Sequence, residues 1–145
     1  MRWLNTEPNS RENASFLKEN FDPIKEQGHL NYITSTNPDL PGIEVLTVDG
    51  HTEKVMIPKI IYKDRTIVFC ADLFPSIYHI PIPWVMAYDT RPLLTMQEKE
   101  KFLDEAVDNQ YILFFEHDPV NECCTLKRTE RGIRLDESFP LSEIL

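Results

Sequence analysis

Basic residues are in the minority: 15 Lys and Arg stand against 24 Asp and Glu in 145 residues, a formal charge of −9. Phosphate backbones demand concentrated Lys and Arg, and without such a cluster nucleic acid is excluded as a main partner. Long apolar runs are missing as well. Stretches such as residues 111–115 fall far short of the roughly 20 residues of a spanning helix, and the N-terminus turns polar directly after Met1-Arg2-Trp3-Leu4. Neither a membrane partner nor a secretory signal is expected. Cysteine is scarce and odd in number, which argues against a disulfide framework. Cys70, Cys123 and Cys124 read as reduced thiols of a cytoplasmic protein, and the adjacent pair reads as strand packing because neighbouring side chains on a strand point to opposite faces.

What remains is globular: 41% hydrophobic and 27% charged residues, enough to build one core of ordinary size, so residues 1–145 are expected to form a single domain with no internal repeat. Asn9 with Glu12 three residues on predicts a reciprocal cap that starts a helix. Ala14, Leu17, Phe21 and Ile24 put one apolar stripe on it, Pro23 divides it in two, and Gly28 closes it. Residues 34–42, with Pro38 and Pro41, read as a surface loop.

Residues 43–48 form a β-branched strand running into Asp49-Gly50-His51-Thr52. Residues 55–62 and 66–71 flank Lys63-Asp64-Arg65 as a hairpin, with Pro58 demanding an edge or a bulge. An apolar, proline-rich loop over residues 74–92 must be buried or cover something. Thr95 and Glu98 predict a capping box for a helix to residue 108, whose stripe of Met96, Lys99, Phe102, Leu103, Ala106 and Val107 has Lys99 as its one polar member. Residues 111–115 read as a buried strand, followed by a last hairpin around Thr129-Glu130-Arg131. The order is α, then β, then α, then β.

Three polar groups, His51, Asp72 and His117, each lie just past the end of a predicted strand. Strands of one sheet ending at one edge would gather them, and two imidazoles with a carboxylate suit Zn²⁺, Fe or Mn²⁺. The ordinary alternative for each is a surface histidine or a turn-capping aspartate.

Longer words bear on that choice. Gly50-His51-Thr52, Phe69-Cys70-Ala71-Asp72-Leu73 and Phe115-Glu116-His117-Asp118 resemble the second half of a metallo-β-lactamase-fold hydrolase. His79-Ile80-Pro81, the run from Pro83-Trp84 to Tyr88-Asp89 and the helix from Thr95 resemble one branch of that superfamily. The resemblance implies an α/β fold, the C-terminal half of an αββα sandwich with a mixed sheet and flanking helices. It implies that His51 serves one metal, Asp72 bridges two and takes part in catalysis, and His117 serves the second metal. In the intact family the cofactor would be a dinuclear Zn, Fe or Mn centre hydrolysing an ester, lactam, thioester or phosphodiester; in this chain alone the metal is expected to be partial or absent and the activity weak or nil. The family's His-x-His-x-Asp-His motif is absent: of His29, His51, His79 and His117, none has another two residues away.

The expectation is therefore the C-terminal portion of a longer hydrolase, with residues 3–33 matching the region after the missing motif. Residues for a substrate pocket or for orienting the site are His79, Trp84, Tyr88 and Glu116, set against structural roles for each, and Met86 is read as a core or subunit-contact residue. Arg91 is read as a salt-bridge partner of a carboxylate. Half a sandwich would leave an apolar face open, so the expected partners are the missing N-terminal half or a second copy, besides a small-molecule substrate. The alternative is an inactive binding or assembly module that keeps the fold without hydrolysis.

Overall fold

The computed structural model describes residues 8–33, 36 and 39–145. Trp3, and Thr34 and Pro38 of the expected loop, lie outside them. Among the described residues six strands form one mixed sheet in sequence order: β1 (Ile43–Val48), β2 (Val55–Tyr62), β3 (Arg65–Phe69), β4 (Ile112–Phe114), β5 (Cys123–Thr129) and β6 (Gly132–Phe139). Every neighbouring pair is antiparallel except β3 and β4. Consequently β1, β3 and β4 all run the same way, and their C-terminal ends share one edge of the sheet. The expected mixed α/β architecture is what forms.

Helix α2 (Pro92–Asp108) fills the crossover between the parallel strands and buries Phe102, Leu103 and Ala106 against one sheet face. There they meet Ile57, Val68, Leu113 and Cys124, with Phe74 stacked on Phe102 at 5.4 Å between ring centroids. Cys123 points to the opposite face, into a smaller cluster with Ile67, Ile112 and Ile144 that the C-terminal turn (Leu141–Glu143) covers. The apolar face expected to stand open is thus partly closed by the chain itself, leaving Met56 and Ile60 exposed on β2. All three thiols are free and buried, and desolvation pushes Cys123 and Cys124 up to about 11 and about 12, where they are inert.

Several local expectations are corrected. Asn9 and Glu12 do cap each other, Asn9 Oδ1 accepting the Glu12 N–H and Glu12 Oε2 accepting the Asn9 N–H, each at 3.1 Å. The box closes only a turn, and the helix α1 is Lys18–Glu26, with Pro23 inside it rather than dividing it. Gly28, at φ 71°, ends it as expected: the Gly28 N–H donates to Lys25 O and the His29 N–H to Ile24 O, which satisfies the last carbonyls. No residue of α1 is buried, so of these two helices it is α2 whose buried stripe covers a sheet face.

Pro58 sits in an interior strand. Its partner Val45 sends its N–H outward to Thr36 O at 2.7 Å, so this is a pair without mutual hydrogen bonds. On the other side pairing with β3 begins only at Lys59, so no ladder bond needs the N–H that proline lacks.

Candidate functional site

The shared edge delivers three turns to one place. Beyond β3 a single 3-10 turn (Ala71–Leu73) carries Asp72, and the Cys70 N–H donates to Phe114 O at 2.9 Å, tying the ends of β3 and β4 together. Past β4, His117 is anchored by its N–H to Pro75 O. Asp118 accepts N–H bonds from Ile77, Val120 and Asn121, which hold its carboxyl below the ordinary range although burial opposes this. It shapes the turn and does not orient the imidazole of His117.

The His51 turn is built by residues far away in sequence. Glu98, expected to cap its own helix, instead accepts the Asp49 N–H at 2.7 Å and the Gly50 N–H at 2.9 Å. It is free to do so because Pro92 starts α2 three residues before Thr95, and Thr95 is buried in the first turn. Arg91 Nε donates to Asp49 O at 2.8 Å, so it braces the turn through a backbone carbonyl and not through a carboxylate. The backbone N–H groups of Thr90 and Arg91 donate to His51 O and Gly50 O.

Gly50 is required for this approach: a Cβ there would stand 2.5 Å from Thr95 N and 2.6 Å from Thr95 Cα. Backbone cannot yield that much without moving the turn off the helix. Gly50→Ala is therefore expected to destabilise the fold by about 2 kcal/mol and to displace His51. Urea denaturation checks it, and an unchanged midpoint would contradict the packing.

His51, Asp72 and His117 meet. His51 Nε2 lies 3.4 Å from Asp72 Oδ2, and His117 Nε2 lies 3.3 Å from Asp72 Oδ1. Each imidazole addresses its own carboxylate oxygen. His51 is nearly enclosed while His117 is half exposed. Burial alone would lower the His51 pKa, but the Asp89 hydrogen bond and the charges of Asp72, Asp89 and Glu12 outweigh it, and the imidazole is raised.

These separations suit shared metal coordination. Two donors bound to one tetrahedral zinc at 2.0–2.2 Å stand roughly 3.4 Å apart. Among the described residues no group of three or more His, Cys, Asp or Glu is gathered to hold an ion. Asp72 instead makes two pairs, each a two-donor set.

An open cleft of about 470 Å³ lies over the three residues, walled by Arg11, Glu12, Phe16, Met86 and Tyr88. Met86 thus faces the cleft and is not core. Tyr88 is exposed at its rim. His79 is not on the cleft; its Nδ1 bonds Ser76 Oγ at 2.9 Å, and burial with the nearby Lys99 charge lowers its pKa. Trp84 is exposed elsewhere on the loop and Glu116 is at the surface beside His117, neither lining the cleft.

Sequence reading missed Asp89, Glu98 and Arg11. Asp89 Oδ1 lies 2.9 Å from His51 Nδ1, and Arg11 Nη1 donates to Ala87 O and Asp89 O. The one local signal was a carboxylate closing an apolar loop.

No family model and no curated protein matches the chain. Solved structures do. A probable metal-dependent hydrolase from Staphylococcus aureus is 26% identical at TM-score 0.68 over 78% of this chain and 40% of its own. AidC, a dizinc quorum-quenching lactonase solved with a product, is 20% identical at TM-score 0.69 over 95% and 52%. AbOPH, a hydrolase of the beta lactamase superfamily, is 17% identical at TM-score 0.70 over 81% and 41%. The chain therefore spans about half or less of the length of the structures it matches. Among the described residues no helix is long and apolar enough to cross a membrane.

Proposed function

We propose that this chain, which has the fold of the C-terminal half of a metallo-β-lactamase-type hydrolase, supplies the late metal ligands of such an enzyme. His51 serves one ion, His117 the other, and Asp72 bridges them. One observation carries the reading: the two imidazoles approach different oxygens of a single carboxylate at 3.4 and 3.3 Å, as donors that share ions would. When bound, a metal pair lowers the pKa of a bridging water and supplies hydroxide at neutral pH. The chain's own residues hold the ligands, through Glu98 and Asp89 on the His51 turn, and wall the cleft. Phe16, Met86 and Tyr88 offer apolar surface to a small-molecule substrate, while Arg11 is engaged with backbone carbonyls. The three buried, free thiols accord with a reducing, cytoplasmic setting.

Two donors per ion are half of a zinc coordination sphere, so the remainder of the site comes from a second polypeptide segment. The face opposite α2, where Met56 and Ile60 remain exposed, is the surface for the other half of the sandwich. Titrating the metal-free chain with zinc against a chromophoric chelator tests the reading: saturable uptake that His51→Ala and His117→Ala each weaken supports it. A chain that takes up no zinc and hydrolyses no simple ester or lactam would support the alternative, an inactive binding module. Sedimentation at micromolar concentration tests the partner surface, and a monodisperse monomer would show that the C-terminal turn closes that face sufficiently.

A further inference from the structure

We infer that Asp89 is a positioning residue that fixes the tautomer of His51, holding the proton on Nδ1 so that Nε2 presents its lone pair to the cleft. The inference deepens the metal-ligand reading and rests on it for its purpose, though not for its geometry. Asp89 Oδ1 stands 2.9 Å from His51 Nδ1. In a neutral imidazole one nitrogen donates and the other accepts, and an ionised carboxylate can only accept. Both ring nitrogens face a carboxylate oxygen, but Asp89 Oδ1 at 2.9 Å is a full hydrogen bond while Asp72 Oδ2 at 3.4 Å from Nε2 is at the outer limit of one. The single proton of the neutral ring therefore sits on Nδ1 and leaves Nε2 as the free base a metal requires.

The second observation is the other oxygen. Asp89 is 3% exposed, and its Oδ2 is buried with no hydrogen-bond partner among the described residues. Burying a carboxylate with an orphaned oxygen is unfavourable. A backbone carbonyl would have served as a neutral acceptor for the same N–H. A carboxylate in that position does more: it makes the imidazole a stronger ligand by stabilising positive charge on the ring.

The third is rigidity. Asp89 N donates to Met86 O, and its carbonyl accepts from Arg11 Nη1. The next two residues donate their N–H groups to His51 O and Gly50 O, both at 2.9 Å. Backbone bonds on either side of the pair therefore keep carboxylate and imidazole together before any ligand arrives. The proline-rich loop, through Asp89 and the two residues that follow it, thus acts as a clamp on the His51 turn.

The test uses the metal-free chain with Asp89→Ala and Asp89→Asn, the second keeping the side-chain volume should the first fail to fold. Long-range ¹H–¹⁵N spectra at a pH where His51 is neutral report its tautomer, with His117 as internal control. Zinc affinity is measured by chelator competition. The wild type is expected to show Nδ1–H at His51, Asp89→Ala to lose that preference while His117 is unchanged, and zinc affinity to fall by about 10- to 100-fold. A wild type with Nε2–H at His51, or an Asp89→Ala protein with unchanged tautomer and unchanged zinc affinity, overturns the inference and leaves the metal reading standing. If the wild type takes up no zinc but the tautomer still depends on Asp89, the positioning role holds and the metal reading fails.

Discussion

Asp72→Asn is expected to abolish zinc uptake by this chain, whereas His117→Ala should weaken it and leave a residual site. The difference lies in the geometry. Asp72 is the member common to both donor pairs, with Oδ2 3.4 Å from His51 Nε2 and Oδ1 3.3 Å from His117 Nε2. An asparagine keeps one acceptor oxygen but loses the charge and presents an NH₂ to the other imidazole. Neither remaining pair then combines an anionic oxygen with an imidazole, and two isolated neutral donors hold a divalent ion poorly. Affinity should fall by at least about 100-fold, at the upper end of what a far less direct orienting partner achieves. The fold should be little affected, because the carboxylate is partly exposed and its ion-pair contacts among the described residues are to the two imidazoles. Chelator competition and urea denaturation on the same samples separate the two effects. Wild-type zinc stoichiometry in Asp72→Asn would remove Asp72 from the ligand set.

How far the sequence foretold this arrangement follows from the range of the interactions. β1, the β2–β3 hairpin and the β5–β6 hairpin were legible because β-branched runs and short polar turns are local signals. The convergence of His51, Asp72 and His117 was legible too, since each follows an abrupt end of an apolar run and all three runs point the same way in one sheet. Glu98 was misread for a physical reason: Thr-x-x-Glu is a cap only if the helix begins there, and Pro92 begins it earlier. Asn9 and Glu12 made their box, yet no apolar stripe behind them packs on the sheet, so the turn did not propagate. Asp89 and Arg11 act on groups dozens of residues away, and no spacing rule reports such contacts.

Lys99 shows the same limit and has the largest expected effect on stability. On the helix stripe it stood out as the one polar member among apolar neighbours. It is fully buried, and its Nζ donates to Pro81 O at 3.0 Å, Ile82 O at 3.3 Å and Trp84 O at 2.7 Å, while standing 5.5 Å from the centre of the Phe74 ring. Three N–H donors meet three carbonyls of the loop that runs on to Asp89, so the ammonium fastens that loop to α2. Lys99→Met keeps the length and the apolar stem but leaves the three carbonyls without this donor. A fully buried unsatisfied acceptor costs about 1–3 kcal/mol, and the cost per carbonyl is smaller here because the three bonds are part-buried, the desolvated charge is also removed and Pro81 O keeps the Trp84 N–H. A net loss of about 3 kcal/mol is expected, with weaker zinc binding as the clamp loosens. Burial lowers the Lys99 pKa to about 8, the Asp89 charge opposing the shift only in part. Between that value and the ordinary lysine range near 10.5 the unfolded chain binds more protons than the folded one, so the Lys99 contribution to stability rises with pH across the window. The gap between wild type and Lys99→Met should consequently be wider at pH 10 than at pH 7. Denaturation curves at both values decide it: a gap that narrows on going to pH 10 would mean that the ammonium is not buried against the loop as described.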